Sequence, residues 1–122
     1  MSEAQTGQAQ ADCLFCKIVA GEIPATVVHE TDTTVAFRDV APQAPTHVLV
    51  VPRSHHADAA SIAAAEPAAV ADLVATAAAV AEAEGLEGNY RMVFNTGAGA
   101  GQSVFHVHLH LLGGRPLNWP PG

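Results

Sequence analysis

Val104-Phe105-His106-Val107-His108-Leu109-His110-Leu111-Leu112 is the stretch on which the reading of this chain turns. Polar and apolar residues alternate along it, which predicts a β-strand over 104–112. Alternate residues of a strand share a face, so His106, His108 and His110 line one side at steps of roughly 6.5–7 Å. Val107, Leu109 and Leu111 go to the opposite, buried side. A polar-out strand that happens to use histidine explains this poorly, because three on one face is improbable by chance. Two chemistries remain. Histidines at i and i+2 can share a zinc ion, but the third lies beyond Zn–N reach unless the strand bends. Alternatively, one neutral imidazole attacks phosphorus while a second donates a proton to the leaving group. Crowded imidazoles disfavour charging one another, which keeps the nucleophile neutral.

The preceding loop favours phosphoryl chemistry. Thr96 to Ser103 (TGAGAGQS) leads directly into the histidines. Gly97, Gly99 and Gly101 permit backbone N–H groups to turn inward and cradle an anion. A glycine-rich turn between strands is common by itself, so the loop gains meaning only from the histidines beside it.

Further outward, Tyr90 to Asn95 (YRMVFN) reads as the strand before that loop. An alanine-rich helix precedes it, with Pro67 in its first turn, Val70, Leu73, Val74, Ala77 and Val80 at helical spacing, and Gly85 at its end. Thr46 to Val51 (THVLVV) reads as a buried strand ended by Pro52. Thr26 to Glu30 and Thr34 to Arg38 form a hairpin about Thr31-Asp32-Thr33. Asp12 is placed to cap a short helix from about Cys13 to Ala20, with Leu14, Phe15 and Ile18 on its buried face and Gly21 as its stop. His47 heads its strand and joins the histidine cluster if that strand pairs beside the last two. On spacing alone, a solvent-facing histidine is an equal reading. The order helix, strands, long helix, strands predicts an α+β fold with an antiparallel sheet.

Composition bounds the function. The 122 residues suit one domain, and 49% of them are hydrophobic, as in a packed globule. Much of that is alanine, so the core is thin and self-association helps to bury surface. Five Lys+Arg against twelve Asp+Glu give a net charge of −7. Such a chain has no basic face for nucleic acid or an anionic membrane, so a bound phosphate is held locally. No apolar run has the length of a membrane span, and Met1 to Asp12 lack a signal core, which predicts a cytoplasmic protein. Residues 1–11 read as a flexible tail and 12–122 as a single domain, with a proline-rich tail over 113–122. Cys13 and Cys16, three apart, suggest a metal or redox site in a cytosolic chain; their plain alternative is burial as small residues.

Residues 106–112 match the signature His-φ-His-φ-His-φ-φ, where φ is apolar. Together with Phe37 to His47 (FRDVAPQAPTH), Gly101-Gln102-Ser103-Val104 and the ending Trp119-Pro120-Pro121-Gly122, they resemble the histidine triad (HIT) family, in its nucleotide-binding, purine nucleoside phosphoramidase branch. The resemblance runs from about Asp12 to Gly122. It implies one long and one short helix on a five-stranded antiparallel sheet, two such sheets joined in a homodimer, and the 113–122 tail at the dimer and active site. It implies hydrolysis of the P–N bond of purine nucleoside 5′-phosphoramidates through a covalent nucleotidyl-histidine, with no cofactor required for catalysis.

Residue by residue, the resemblance implies His108 as nucleophile and His110 as phosphate contact and proton-transfer aid. His106 and His47 fall in the relay that orients His108. Asn95 and the backbone of Gly101, Gln102 and Ser103 hold the phosphate, with the Ser103 hydroxyl near the leaving group. Asp39 accepts from the ribose hydroxyls, and Phe15, Ile18, Ile23, Phe37 and Val40 form the base pocket. Phe15, Ile18 and Phe37 fit ordinary core packing equally well. Trp119 lies near the partner's site. Arg38 stands where relatives often carry histidine, which bears on contacts to the base. Cys13-x-x-Cys16 resembles a zinc-bearing bacterial branch, and the implied structural zinc set is Cys13, Cys16, His55 and His106. Only the resemblance selects His55 over His56. Two other readings stand beside the enzyme: a nucleotide sensor or scaffold with incidental hydrolysis, and a structural zinc protein.

Overall fold

A computed structural model describes residues 8–122. Of the stretch 1–11 expected to be a flexible tail, residues 1–7 lie outside the described residues. The elements are α1 (Leu14–Val19), β1 (Val27–Glu30), β2 (Thr34–Arg38), β3 (Thr46–Pro52), α2 (Ala59–Ala65), α3 (Pro67–Ala83), β4 (Tyr90–Val93) and β5 (Leu109–Gly113). A 3-10 turn spans Ala98–Ala100. The strands form one open antiparallel sheet in the order β1-β2-β3-β5-β4.

The unbroken apolar run of β3 follows from its place in that order. The strand is central, and the sheet is covered on both faces there, so every residue from Thr46 to Pro52 is buried. Val48 and Val50 pack with Ala36, Leu109 and Leu111 against Ile62, Leu73, Ala77 and Val80 of the helices. Leu49 and Val51 face the other way and pack with Phe15, Val35 and Phe37 under α1. Burying a side chain such as Leu73 is worth about 1.5–3 kcal/mol, so this two-sided core carries the fold.

Several expectations change. Three helices are present rather than one long and one short, because Asp58 caps a separate α2 through a bond from the Ser61 N–H to its carboxylate. Pro67 then restarts the helix as α3. Cys13, not Asp12, caps α1, its sulfur accepting from the Cys16 N–H at 3.3 Å. Leu14 and Val74 are exposed, and Cys16 takes the buried place expected for Leu14.

The last strand begins at Leu109 rather than Val104. Residues 103–108 are irregular, joined to the His55–His56 segment by a bond from the Val107 N–H to the His56 carbonyl at 2.7 Å. The inside-outside alternation nevertheless continues through them: Val107 joins the helix-side core, while His106 and His108 lie against Phe15. Among the described residues no helix is long and apolar enough to cross a membrane.

Candidate active site and metal cluster

A cleft of about 560 Å³ opens on the α1 side of the sheet. Phe15, Ile18, Phe37 and Leu49 form its apolar wall, and Asp39, Val40, Ser103, His108 and His110 also line it, with Asp39 and His110 close together. Phe15 meets Phe37 edge-on at 5.4 Å and His108 edge-on at 5.1 Å between ring centroids. The wall is therefore both core and cleft surface, which unites the two readings of Phe15 and Phe37.

Hydrogen bonds to backbone groups fix where each imidazole carries its proton. His108 Nδ1 lies 2.8 Å from the His106 carbonyl, which can only accept. Nδ1 therefore holds the proton, and Nε2 is left with a lone pair. The Gln43 N–H donates to His47 Nδ1 at 3.0 Å, so the proton of His47 is on Nε2. That N–H donates onward to His110 Nδ1 at 3.0 Å, which puts the His110 proton on Nε2. The two rings lining the cleft, with centroids 5.0 Å apart, thus carry opposite functions: lone pair on His108, donor on His110. Burial first, then the neighbouring His108 and His47, pushes His110 down to about 4. Burial lowers His108 as well, against the opposing pull of the His106 carbonyl bond and the Asp39 carboxylate.

Asp39 is held by the loop after β2. One carboxylate oxygen accepts from the Ala41 N–H at 2.8 Å, and the other lies 3.4 Å from His47 Nε2. Asp39, His47 and His110 are close enough to suggest a metal set. The proton on His47 Nε2 argues against one, since a metal needs that lone pair. The hydrogen-bond chain runs from the Gln43 N–H through His47 to His110, and the Asp39 carboxylate stands beside its middle member.

The second cluster behaves differently. Sγ of Cys16 lies 3.3 Å from His55 Nδ1 and 3.5 Å from His106 Nδ1. Cys13 Sγ lies 3.4 Å from His106 Nδ1, and the two Nδ1 atoms are 3.2 Å apart. A tetrahedral zinc ion with ordinary bond lengths spaces two nitrogens by roughly 3.3 Å and a nitrogen and a sulfur by roughly 3.6 Å. His106 Nε2 lies 3.0 Å from the Pro52 carbonyl and donates to it, so Nδ1 presents a lone pair to the cysteines. These residues fit zinc. Burial pushes the Cys16 thiol up to about 11 and His106 down to about 4, so neither takes up charge readily alone; a bound cation favours the thiolate. His55 points into the cluster, whereas His56 turns away to Glu66, 2.6 Å from its carboxylate.

Of the other residues singled out from the sequence, Ser103 and Arg38 line the cleft and the rest fall around it. The loop over 96–103 is not a free cradle: the N–H groups of Gly101 and Gln102 are engaged by the carbonyls of Ala98 and Gly97 at 3.0 Å each. Gly101, at φ +98, makes the left-handed turn that this closure needs. The buried Gln102 side chain accepts from the Gly97 N–H and donates to the carbonyls of Ala57 and Val104. Ser103 is the loop residue that reaches the cleft. Asn95 is half-buried beside Gly101, and Ile23 is half-buried outside the lining. Trp119 is 81% exposed and outside the cleft of its own chain. Arg38 sends its guanidinium to Glu84 at the end of α3, in two bonds of 3.1 and 2.9 Å.

Sequence reasoning missed Leu14, Pro24, Ala25, Thr26 and Leu49 in the lining, and Gln43 as the partner of His47. Residues 24–26 have no pattern that signals a cleft, and a backbone donor has none at all.

Fold and site together define an α+β protein whose open antiparallel sheet carries a histidine-lined cleft beside a Cys₂His₂ cluster. The chain belongs to the HIT family, whose domain, described as "HIT domain", matches residues 20–117. It is similar to a HIT family hydrolase from Legionella pneumophila Philadelphia 1, at 52% identity and a TM-score of 0.87 over 91% of this chain and 100% of that one. It is 48% identical to a 14 kDa zinc-binding protein of Zea mays over 89% of this chain and 87% of the relative. It is 43% identical to the purine nucleoside phosphoramidase of Escherichia coli strain K12 over 87% and 90%.

Proposed function

We propose that this chain is a hydrolase that cleaves the P–N bond of purine nucleoside 5′-phosphoramidates, giving the nucleoside monophosphate and an amine. The observation that carries this reading is the opposed proton placement on His108 and His110 in the lining of an apolar cleft. The name of the Escherichia coli relative supports the choice of bond.

In this reading the base enters between Phe15, Ile18, Phe37 and Val40, with Ile23 behind them. Asp39 accepts from the ribose hydroxyls, and Ser103 contacts the phosphate end. Asn95, Gly101 and Gln102 shape the loop that presents Ser103. His108 Nε2 uses its lone pair to form a bond to the α-phosphorus. The P–N bond breaks with its electron pair going to nitrogen, which takes one proton from the Ser103 hydroxyl at that end. Water then attacks the nucleotidyl-His108, the P–N bond to histidine breaks, and the monophosphate leaves. The proton given up by water restores that hydroxyl. The His110 Nε2–H stabilises charge on the phosphoryl oxygens, and His47 keeps that proton in place. His106 holds Nδ1 of His108 through its carbonyl.

Cys13, Cys16, His55 and His106 would hold a zinc ion, which would cross-link the chain beside the reacting strand. A second copy would bring Trp119 to the cleft of the first.

The test is release of AMP from adenosine 5′-phosphoramidate by the wild type and by His108→Ala. The expected result is turnover that collapses in the variant while AMP binding persists. If neither protein turns over and both bind AMP, the enzyme reading fails and the nucleotide sensor takes its place.

A further inference from the structure

The segment after β5 is docked on the loop that feeds the His47–His110 chain. Gly114, at φ +91, passes so close to Pro45 that a Cβ there would lie 2.9 Å from the proline Cβ. The next residue, Arg115, donates from Nε to the Gln43 carbonyl at 2.9 Å, and its NH1 group donates to the Pro116 carbonyl. Gln43 is thus pinned at both backbone polar groups: its carbonyl by Arg115, and its N–H by His47 Nδ1 at 3.0 Å. Pro42 and Pro45 flank this region and offer no N–H of their own.

We propose that Arg115 is a positioning residue for the cleft, acting through the Gln43 backbone, whose carbonyl and N–H lie on the two peptide units flanking its Cα, to set the proton placement on His47 and His110. If the Gln43 N–H turns away, His47 is free to carry its proton on Nδ1. Its Nε2 then accepts, His110 must donate from Nδ1, and His110 Nε2 presents a lone pair to the cleft. A lone pair repels a phosphoryl oxygen where an N–H attracts it. One guanidinium–carbonyl bond outside the cleft therefore acts with the Asp39 carboxylate, 3.4 Å from His47 Nε2, to set the sign of the group inside it. The inference rests on the reading of His110 as a phosphate contact only for its effect on rate. The effect on the ring protons stands on the hydrogen bonds alone.

The test combines ¹⁵N NMR of the histidine ring nitrogens with steady-state hydrolysis of adenosine 5′-phosphoramidate, in the full chain. Arg115→Ala and Arg115→Gln are compared with Arg115→Lys, which keeps a donor, and with Arg53→Ala. Arg53 makes the same kind of bond, Nε to the Thr31 carbonyl at 3.0 Å, at the far hairpin. In the wild type His47 is expected to be protonated on Nε2 alone. Arg115→Ala and Arg115→Gln should show the reversed tautomer on both rings and a kcat lower by about tenfold, as for loss of one charge-assisted hydrogen bond, with a smaller change in KM. Arg115→Lys should lie between them and wild type, and Arg53→Ala should match wild type. If Arg115→Ala does not fold, Arg115→Gln decides alone. An unchanged ring-nitrogen pattern overturns the proposal, even if the rate falls. If the wild type releases no AMP, the proposed function fails while the nitrogen pattern still decides the role of Arg115.

Discussion

His108 and His110 are two residues apart and share one environment, yet each presents a different group to the cleft. The difference comes from backbone partners: a carbonyl at His108 Nδ1, and a chain that starts from a peptide N–H at His110 Nδ1. Burial lowers both, His110 to about 4 from an ordinary 6.5. This has two consequences in acid. The folded chain binds fewer protons than the unfolded chain between about 4 and 6.5, so stability rises with pH across that window and is lost as pH falls through it. In the proposed mechanism attack needs the His108 lone pair, which burial preserves below the ordinary histidine range. The kcat/KM profile for adenosine 5′-phosphoramidate should therefore stay flat through pH 6.5 and fall only at lower pH. An acidic limb centred at 6.5 would contradict the burial argument.

At the scale of elements, the sheet leaves two edges, β1 and β4. The β1 edge is interrupted by a register shift between Val27 and His29, a device that discourages further pairing. Edge β4 pairs regularly with β5 from Tyr90 to Val93, and its Arg91 holds the carbonyls of Leu117 and Asn118 in the C-terminal tail. Pairing of β4 with the β4 of a second copy would join two sheets and would bring the tail of one copy towards the other. This element is where we expect the dimer to form. Light scattering at micromolar concentration should give the mass of two chains, and the mass of one chain would remove both the dimer and the place given to Trp119.

At the scale of the whole molecule, the Cys₂His₂ cluster joins segments far apart in the chain. Cys13 and Cys16 open α1, His55 follows β3, and His106 lies just before β5, 93 residues from Cys13. Such a set exists only in the folded chain, so metal bound there stabilises it by mass action. Protein purified without added metal should carry zinc near one per chain, and a strong chelator should lower its Tm. Free thiols at both cysteines, no zinc and no change in Tm on chelation would count against the site. The cluster also adjoins the cleft, because the carbonyl of His106 holds the cleft residue His108.

The sequence by itself determined the order of elements apart from the separate α2, the buried strand over 46–51, the family and the histidines facing one way, because these rest on period and local turn chemistry. It also marked Cys13 and Cys16 as a pair. Tertiary structure decided what each histidine does. His55 and His56 are neighbours of the same type, and only packing sends one to the cysteines and the other to Glu66. The bend over 103–108 that lets His106 reach the cluster, the closure of the 96–103 loop on its own carbonyls, and the Gln43 N–H beneath His47 all depend on backbone groups. Every residue but proline has the same backbone donor and acceptor, so no pattern of side chains announces which of them meet.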